Sequence, residues 1–218
     1  MKTRNLILSL AILGVLILPS GCSEEIAGTD ESVTEDVAAD LKSATLPVPF
    51  ILAGTIADVP IPVCTITGTV TEAEAAGLLF MREEEKMARD VYSYLYLKYK
   101  LPVFNNISKS ETAHMSSVLR LIAGFKITDN SNNNSGEFTD TQIAELYKQL
   151  ITMGNVSVID ALKVGVLIEQ TDIADLKNEL LAVENASVKT VYSNLLKGSE
   201  AHLKAFTWNL KIRGVVYP

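Results

Sequence analysis

Residues 107–125 read ISKSETAHMSSVLRLIAGF, and positions 107, 111, 114, 118, 121 and 125 hold Ile, Glu, His, Val, Leu and Phe. Steps of three and four residues put these six side chains on one stripe of an α-helix. Glu111 and His114 therefore interrupt an otherwise apolar stripe at its middle. Carboxylates seldom enter a core unless something pairs with them. The pattern predicts a helix from about Asn105 to Phe125 whose buried face carries chemistry.

Three further segments repeat it. Upstream, Leu78, Met81, Glu85, Ala88, Tyr92, Leu95 and Tyr99 form one stripe. Thr71 and Glu74 have the spacing of a capping box, and Leu101-Pro102 marks the end of this helix. Glu83 and Glu84 flank Glu85, and the register turns both away from the stripe. Downstream, a helix from about Ser157 to Ala182 carries Val158, Leu162, Gly165, Glu169, Asp172, Leu176 and then Glu179 or Leu180. The last helix, from about Ser187 to Leu210, carries Val188, Tyr192, Leu195, Ser199, His202 and Phe206.

Between the second and third long helices lie a polar loop, TDNSNNNSGEF at residues 128–138, and TDTQIAELYKQLITM at residues 139–153. The second of these predicts a shorter amphipathic helix, capped by Thr139 or Asp140 and stopped at Gly154. The expected fold is all-α: a ferritin-like four-helix bundle over residues 69–212, with a long crossover carrying an extra short helix between long helices 2 and 3.

The N-terminal part has a different character. Residues 1–22, MKTRNLILSLAILGVLILPSGC, have Lys2 and Arg4, then an apolar run, then small residues before Cys22. This resembles a bacterial lipoprotein signal in which Cys22 takes the lipid, although Pro19 stands where such signals usually have Leu. Residues 23–43 are acidic and poor in aromatics, and read as a tether. Residues 44–68 contain Pro47, Pro49, Pro60 and Pro62, so they are expected to run extended along the domain, with a short strand or hairpin as one form. With Cys22 lipidated, Cys64 has no intramolecular partner and reads as a buried small hydrophobe. The expected location is the cell envelope, exported and lipid-anchored.

The net charge of −7 becomes more negative once Lys2 and Arg4 are removed. An acidic chain without a basic cluster is a poor binder of nucleic acid or anionic membranes. The lipid at Cys22 is therefore the expected membrane contact.

The four stripes bring Glu85, Glu111, His114, Glu169, Asp172 and His202 to similar depths. Four carboxylates and both histidines of the chain are a ligand inventory for two divalent cations: carboxylates bridge, and imidazoles bind terminally. Glu111-Thr-Ala-His114 is a complete Glu-x-x-His. The last helix instead has Ser199-Glu-Ala-His202, and Glu200 lies about 100° away around the helix. Asp172, three residues after Glu169, makes good the count. The alternative is a single metal position.

Tyr92 lies two turns from Glu85, placed to hydrogen-bond a ligand or pass an electron, or simply to pack in the core. Asp90 and Asp175 are candidates to hold histidine N–H groups, with helix-surface ion pairs as their commoner fate, and Arg89 is a partner for one of them. Trp208 reads as packing near a bundle end.

The runs at residues 78–107, 110–115 (SETAHM), 156–176 (VSVIDALKVGVLIEQTDIADL) and 195–206 (LLKGSEAHLKAF) resemble the ferritin-like family catalogued as domain of unknown function 2202. The likeness spans about residues 75–210. EEEKMARDVY is also similar to the first ligand helix of rubrerythrins, which again selects Glu85. The resemblance implies a ferritin-like bundle in which Ser before the last histidine is usual.

Together these readings lead to two iron ions as the expected cofactor, with Mn or Zn as other occupants. The expected chemistry is redox at iron: Fe(II) oxidation, peroxide reduction or O₂ activation. O₂ or peroxide is the small-molecule substrate. No Cys-x-x-Cys electron-transfer module is present, so the electron donor is external. The opposing expectation is a surface-anchored binding or structural module with a relic or purely structural metal site. The tether disfavours a closed storage shell and is compatible with a homodimer.

Overall fold

The computed structural model describes residues 66–217. The chain folds into a bundle of α-helices: α1 Glu72–Tyr99, α2 Pro102–Gly124, α3 Thr141–Gly154, α4 Val158–Ala182 and α5 Ala186–Lys211. No strand occurs among the described residues. The expected signal at residues 1–22, the expected tether at 23–43, most of the Pro-rich segment, Cys22 and Cys64 lie outside them. Among the described residues no helix is long and apolar enough to cross a membrane.

The helix boundaries follow local chemistry. Thr71 Oγ1 accepts from the Glu74 N–H, and the Glu74 carboxylate accepts from the Thr71 N–H at 2.8 Å, closing the capping box. Glu74 also accepts from the Glu184 and Asn185 N–H groups at 2.8 Å each, so one side chain ties the start of α1 to the α4–α5 turn. Lys100, left-handed at φ 56°, ends α1. Pro102 does not merely stop α1 but opens α2 at its first position, where a missing N–H costs nothing. Side chains of Asp140, Ser157 and Asn185 cap α3, α4 and α5.

The helices form two hairpins, α1 with α2 and α4 with α5, and the hairpins meet along α1–α4 and α2–α5. Residue pairs fix the directions. Glu74 of α1 lies near Glu184, just past the end of α4, and Tyr92 of α1 near Gly165 of α4, so these helices are antiparallel. On α2 and α5, Ser110 meets His202 and His114 meets Gly198, again antiparallel. Thus α2 and α4 run in the same direction, and the connection between them must travel the length of the bundle. It carries α3, which packs on α1 and α4.

Two apolar regions plug the bundle. At one end Leu78, Met81, Val118, Leu121, Leu176, Val188, Tyr192 and Leu195 pack together. At the other, Tyr92, Phe104 and Phe206 form a ring cluster with centroids 5.1–6.4 Å apart. Between them lies a polar layer.

The stripe model of α1 was too narrow. Glu83 and Glu84, expected to point away from the core, are both buried, as are Arg82 and Lys86. The crossover covers the back of α1. Glu83 accepts from the Thr139 and Asp140 N–H groups at 2.7 Å each. Arg82 donates to the Asn132 carbonyl and Asn133 Oδ1. Lys86 Nζ reaches Asp90 and the Asn134 and Glu137 carbonyls at 2.6–3.0 Å, beneath the Phe138 ring. At the C-terminal end, Trp208 is 60% exposed beside Lys211 rather than packed.

Candidate metal centre

The polar layer is built by all four long helices. Helix α1 contributes Glu85, α2 contributes Glu111 and His114, α4 contributes Glu169 and Asp172, and α5 contributes Ser199 and His202. Glu111 stands at its centre. One of its oxygens, Oε2, lies 2.8 Å from His114 Nδ1, and the other, Oε1, lies 2.9 Å from His202 Nδ1. Each imidazole has a second carboxylate of its own: Glu85 is 3.3 Å from His114 Nδ1, and Glu169 is 3.4 Å from His202 Nδ1. The site thus has two similar halves joined by one glutamate, and the two rings lie 5.4 Å apart.

Neighbouring groups hold these side chains in place. His202 Nε2 lies 2.9 Å from Ser110 Oγ; with Nε2 as donor, Nδ1 keeps its lone pair toward the carboxylates. His114 packs on Gly198: a β-carbon there would fall 2.5 Å from His114 Nε2. Tyr92 OH donates to Glu169 Oε1 at 2.5 Å, and Ser199 Oγ makes a very short hydrogen bond to Asp172 Oδ2. The serine that stands in place of a ligand on α5 therefore holds the aspartate that α4 supplies.

Asp90 does not serve the histidines. Asp90 accepts from Lys86, Arg89 and the Gly136 N–H, because it faces the crossover loop. Arg89 does pair with Asp90, at 2.8 Å. Asp175 is hydrogen-bonded to Glu84. Ser110, Gly198 and Glu84 were not singled out by the helical stripes: the first two lie just off them, and Glu84 lies one residue from the candidate ligand Glu85.

Proton affinities in the cluster are strongly displaced. Burial pushes the Glu85 carboxyl well up, and Asp172 and Glu111 push it further, against the opposing pull of His114. Burial also raises Glu169 to about 8 and Asp172 to about 7, against the relief from His202 and Ser199 respectively. Burial would raise Glu111 too, but two imidazoles hold it at about 2. Burial works against a charge on the histidines, yet the flanking carboxylates raise His114 to about 11 and His202 to about 9. Without a metal, protons supply the positive charge that this layer demands.

The residues fit divalent cations. Glu85 Oε1, Asp172 Oδ1, His114 Nδ1 and His202 Nδ1 are all buried without a hydrogen-bond partner. The imidazole nitrogens are near carboxylate oxygens but not aligned with them as hydrogen bonds. One ligand atom each from Glu111, His114 and His202 fall within 4.8 Å of one another. Carboxylate oxygens with imidazole nitrogens suit Fe, Mn and Zn.

The model of the uncharacterized protein domain DUF2202 matches residues 74–218. The uncharacterized protein MJ0754 of Methanocaldococcus jannaschii is 47% identical over 149 residues, covering 68% of this chain and 80% of the relative. The crystal structure of hypothetical protein MJ0754 from Methanococcus jannaschii superposes with a TM-score of 0.68 at 45% identity, covering 69% of this chain and 87% of that one. The chain belongs to the DUF2202 family.

Proposed function

We propose that this member of the DUF2202 family is an exported, lipid-anchored, ferritin-like protein that binds two iron ions and uses them for redox chemistry with O₂ or peroxide. The observation that carries this reading is Glu111, which presents one oxygen to each of two buried imidazole nitrogens that lack hydrogen-bond partners. The parallel course of α2 and α4, joined by a crossover, supports the ferritin-like assignment. The sequence of residues 1–22 supports export and anchoring at Cys22.

One half would comprise Glu85 and His114, the other Glu169 and His202, with Glu111 shared and Asp172 closing the layer. Bound iron supplies one-electron chemistry. The protein's own residues fix the ligands, exclude bulk water through the two apolar plugs, and lower the cost of gathering four carboxylates. Tyr92 holds Glu169 from the plug side and is placed to carry an electron or proton between the cluster and the ring group. Electrons come from an external donor.

The test is aerobic turnover of added Fe(II), with and without peroxide, by the full chain and by Tyr92→Phe and Glu111→Ala. The reading predicts oxidation by the wild type, slower oxidation with retained iron in Tyr92→Phe, and no specific iron in Glu111→Ala. Oxidation no faster than in buffer would favour a surface module in which metal is structural.

A further inference from the structure

The buried polar layer comes nearest to solvent at its two imidazoles. The side chains of His114 and His202 are 13% and 10% exposed, against 2–3% for Glu85, Glu111 and Glu169. Both edges lie in the seam between α2 and α5: His114 Nε2 rests on Gly198 of α5, and His202 Nε2 on Ser110 of α2. The surface on either side of this seam is basic. Lys109 and Arg120 of α2 and Lys197 and Lys204 of α5 are all exposed. Lys109 directly precedes Ser110, Lys197 precedes Gly198, and Lys204 follows His202 by two residues. The single acid of α2 is Glu111, which is buried, and the single acid of α5, Glu200, is drawn toward Lys177 of α4 at 3.8 Å. The exposed acids Glu72, Glu145 and Glu184 lie on other parts of the chain. No run of bases in the sequence forms this face: helical spacing and the antiparallel α2–α5 contact assemble it on a chain of net charge −7. Positions 197, 201, 204 and 208 share one exposed stripe of α5, which leads to Trp208, 60% exposed.

We propose that the α2–α5 face docks the external electron donor, a small acidic one-electron carrier protein, and that the electron enters at the imidazole edges. The proposal rests on the dinuclear reading and names the partner of that site. Basic groups around a nearly sealed site attract an acidic partner and fix its orientation, while the acidic remainder of the molecule repels it. Ala113 and Ala201, exposed on the same stripes as the lysines, let a partner approach the seam closely. An exposed tryptophan beside them is the kind of side chain that anchors an interface. In the transfer the reduced carrier loses one electron and one Fe(III) of the proposed pair becomes Fe(II), with no atom exchanged between the proteins.

The probe is flavodoxin, an acidic protein that carries one electron at a time. Added in its oxidised form to the metal-free, isotope-labelled full chain, it should shift backbone amide signals on α2 and α5 around Lys109, Lys197 and Lys204, and about 0.5 M salt should abolish the shifts. Lys197→Glu with Lys204→Glu, or Trp208→Ala alone, should weaken binding at least about tenfold. These side chains are exposed, so the fold is kept. With the chain loaded with ferric iron, the double reversal should slow oxidation of reduced flavodoxin at least about tenfold and leave reduction by ascorbate unchanged. Absent or evenly spread shifts overturn the docking face and leave the dinuclear reading intact. Binding to phosphatidylglycerol vesicles that the reversals remove, with no shift from flavodoxin, overturns it in favour of a membrane surface. Equal rates from flavodoxin to the wild type and the double reversal overturn electron entry at this face. If flavodoxin docks here but neither it nor ascorbate reduces the chain, the docking face stands and the dinuclear redox reading falls.

Discussion

Gly198 lacks a side chain where His114 needs the space. In the interior of a helix, Gly→Ala ordinarily adds about 1 kcal/mol of stability. Here the new methyl group would force the imidazole away from Glu111 and Glu85, so Gly198→Ala should lower the melting temperature and remove one metal ion per chain. With the ring already gone, in His114→Ala, the same change should stabilise by about 1 kcal/mol. A stabilised Gly198→Ala single variant would contradict the placement of His114. At this scale the sequence was partly transparent. The stripes brought together Glu85, Glu111, His114, Glu169, Asp172 and His202, because a heptad seam reports which residues share an axis. They could not show that Ser199 would hold Asp172, or that Glu111 would face both histidines, because those are contacts between helices.

Helix α1 shows what a single-stripe reading omits. A helix covered on one face leaves acidic neighbours such as Glu83 and Glu84 in water, but α1 is covered behind as well, by the crossover and α3. Nothing in the local period of α1 reports that second cover. The signal lay elsewhere, in a loop of asparagines and serines whose carbonyls and side chains could receive Arg82 and Lys86. Glu83→Ala would leave the Thr139 and Asp140 N–H groups unpaired and should cost about 2–4 kcal/mol, read by denaturant unfolding. Lys86→Met would take one of three partners from the buried Asp90 and the amine donor from the Asn134 and Glu137 carbonyls, and should cost about 1–3 kcal/mol. Native-state hydrogen exchange should show the loss first at residues 128–140, and uniform loss across α2 and α5 would argue against a local clamp. The helix ends, by contrast, were legible almost throughout, because Thr71, Asp140, Ser157 and Gly154 carry their own capping chemistry.

For the molecule as a whole, the paired acids and imidazoles make folding, protons and metal interdependent. In the metal-free protein, Glu85, Glu169 and Asp172 have raised proton affinity. A carboxyl whose folded pKa exceeds its unfolded value stabilises the fold at low pH and loses that contribution as pH rises through the folded value. The metal-free protein should therefore weaken as pH rises through about 7 and about 8, where Asp172 and Glu169 ionise. The histidines add to the same trend at about 9 and about 11. Glu74, buried yet held at about 2 by the N–H groups of Asn185, Thr71 and Glu184, acts in the opposite direction. Its contribution is present above the ordinary carboxylate range and disappears as pH falls through 4.5 toward 2.

Metal should reverse the alkaline loss. Binding must displace protons from His114, His202, Glu85, Glu169 and Asp172, so affinity should fall as pH is lowered, first through about 11 and about 9 at the histidines and then through about 8 and about 7 at Glu169 and Asp172. Calorimetry in buffers of different ionisation enthalpy would register that proton release, and a buffer-independent heat would refute it. At a thousandfold excess over Kd, bound metal adds about 4 kcal/mol, or about 10 °C for a domain of this size.

The most direct test of the central claim is iron content and visible spectrum, measured on the full chain loaded with Fe(II) without oxygen and then exposed to air. Two tightly bound irons per chain, with the visible absorption of a coupled ferric pair and a melting temperature raised by about 10 °C, are the predicted result. No retained iron, with the melting temperature unchanged, would contradict the account.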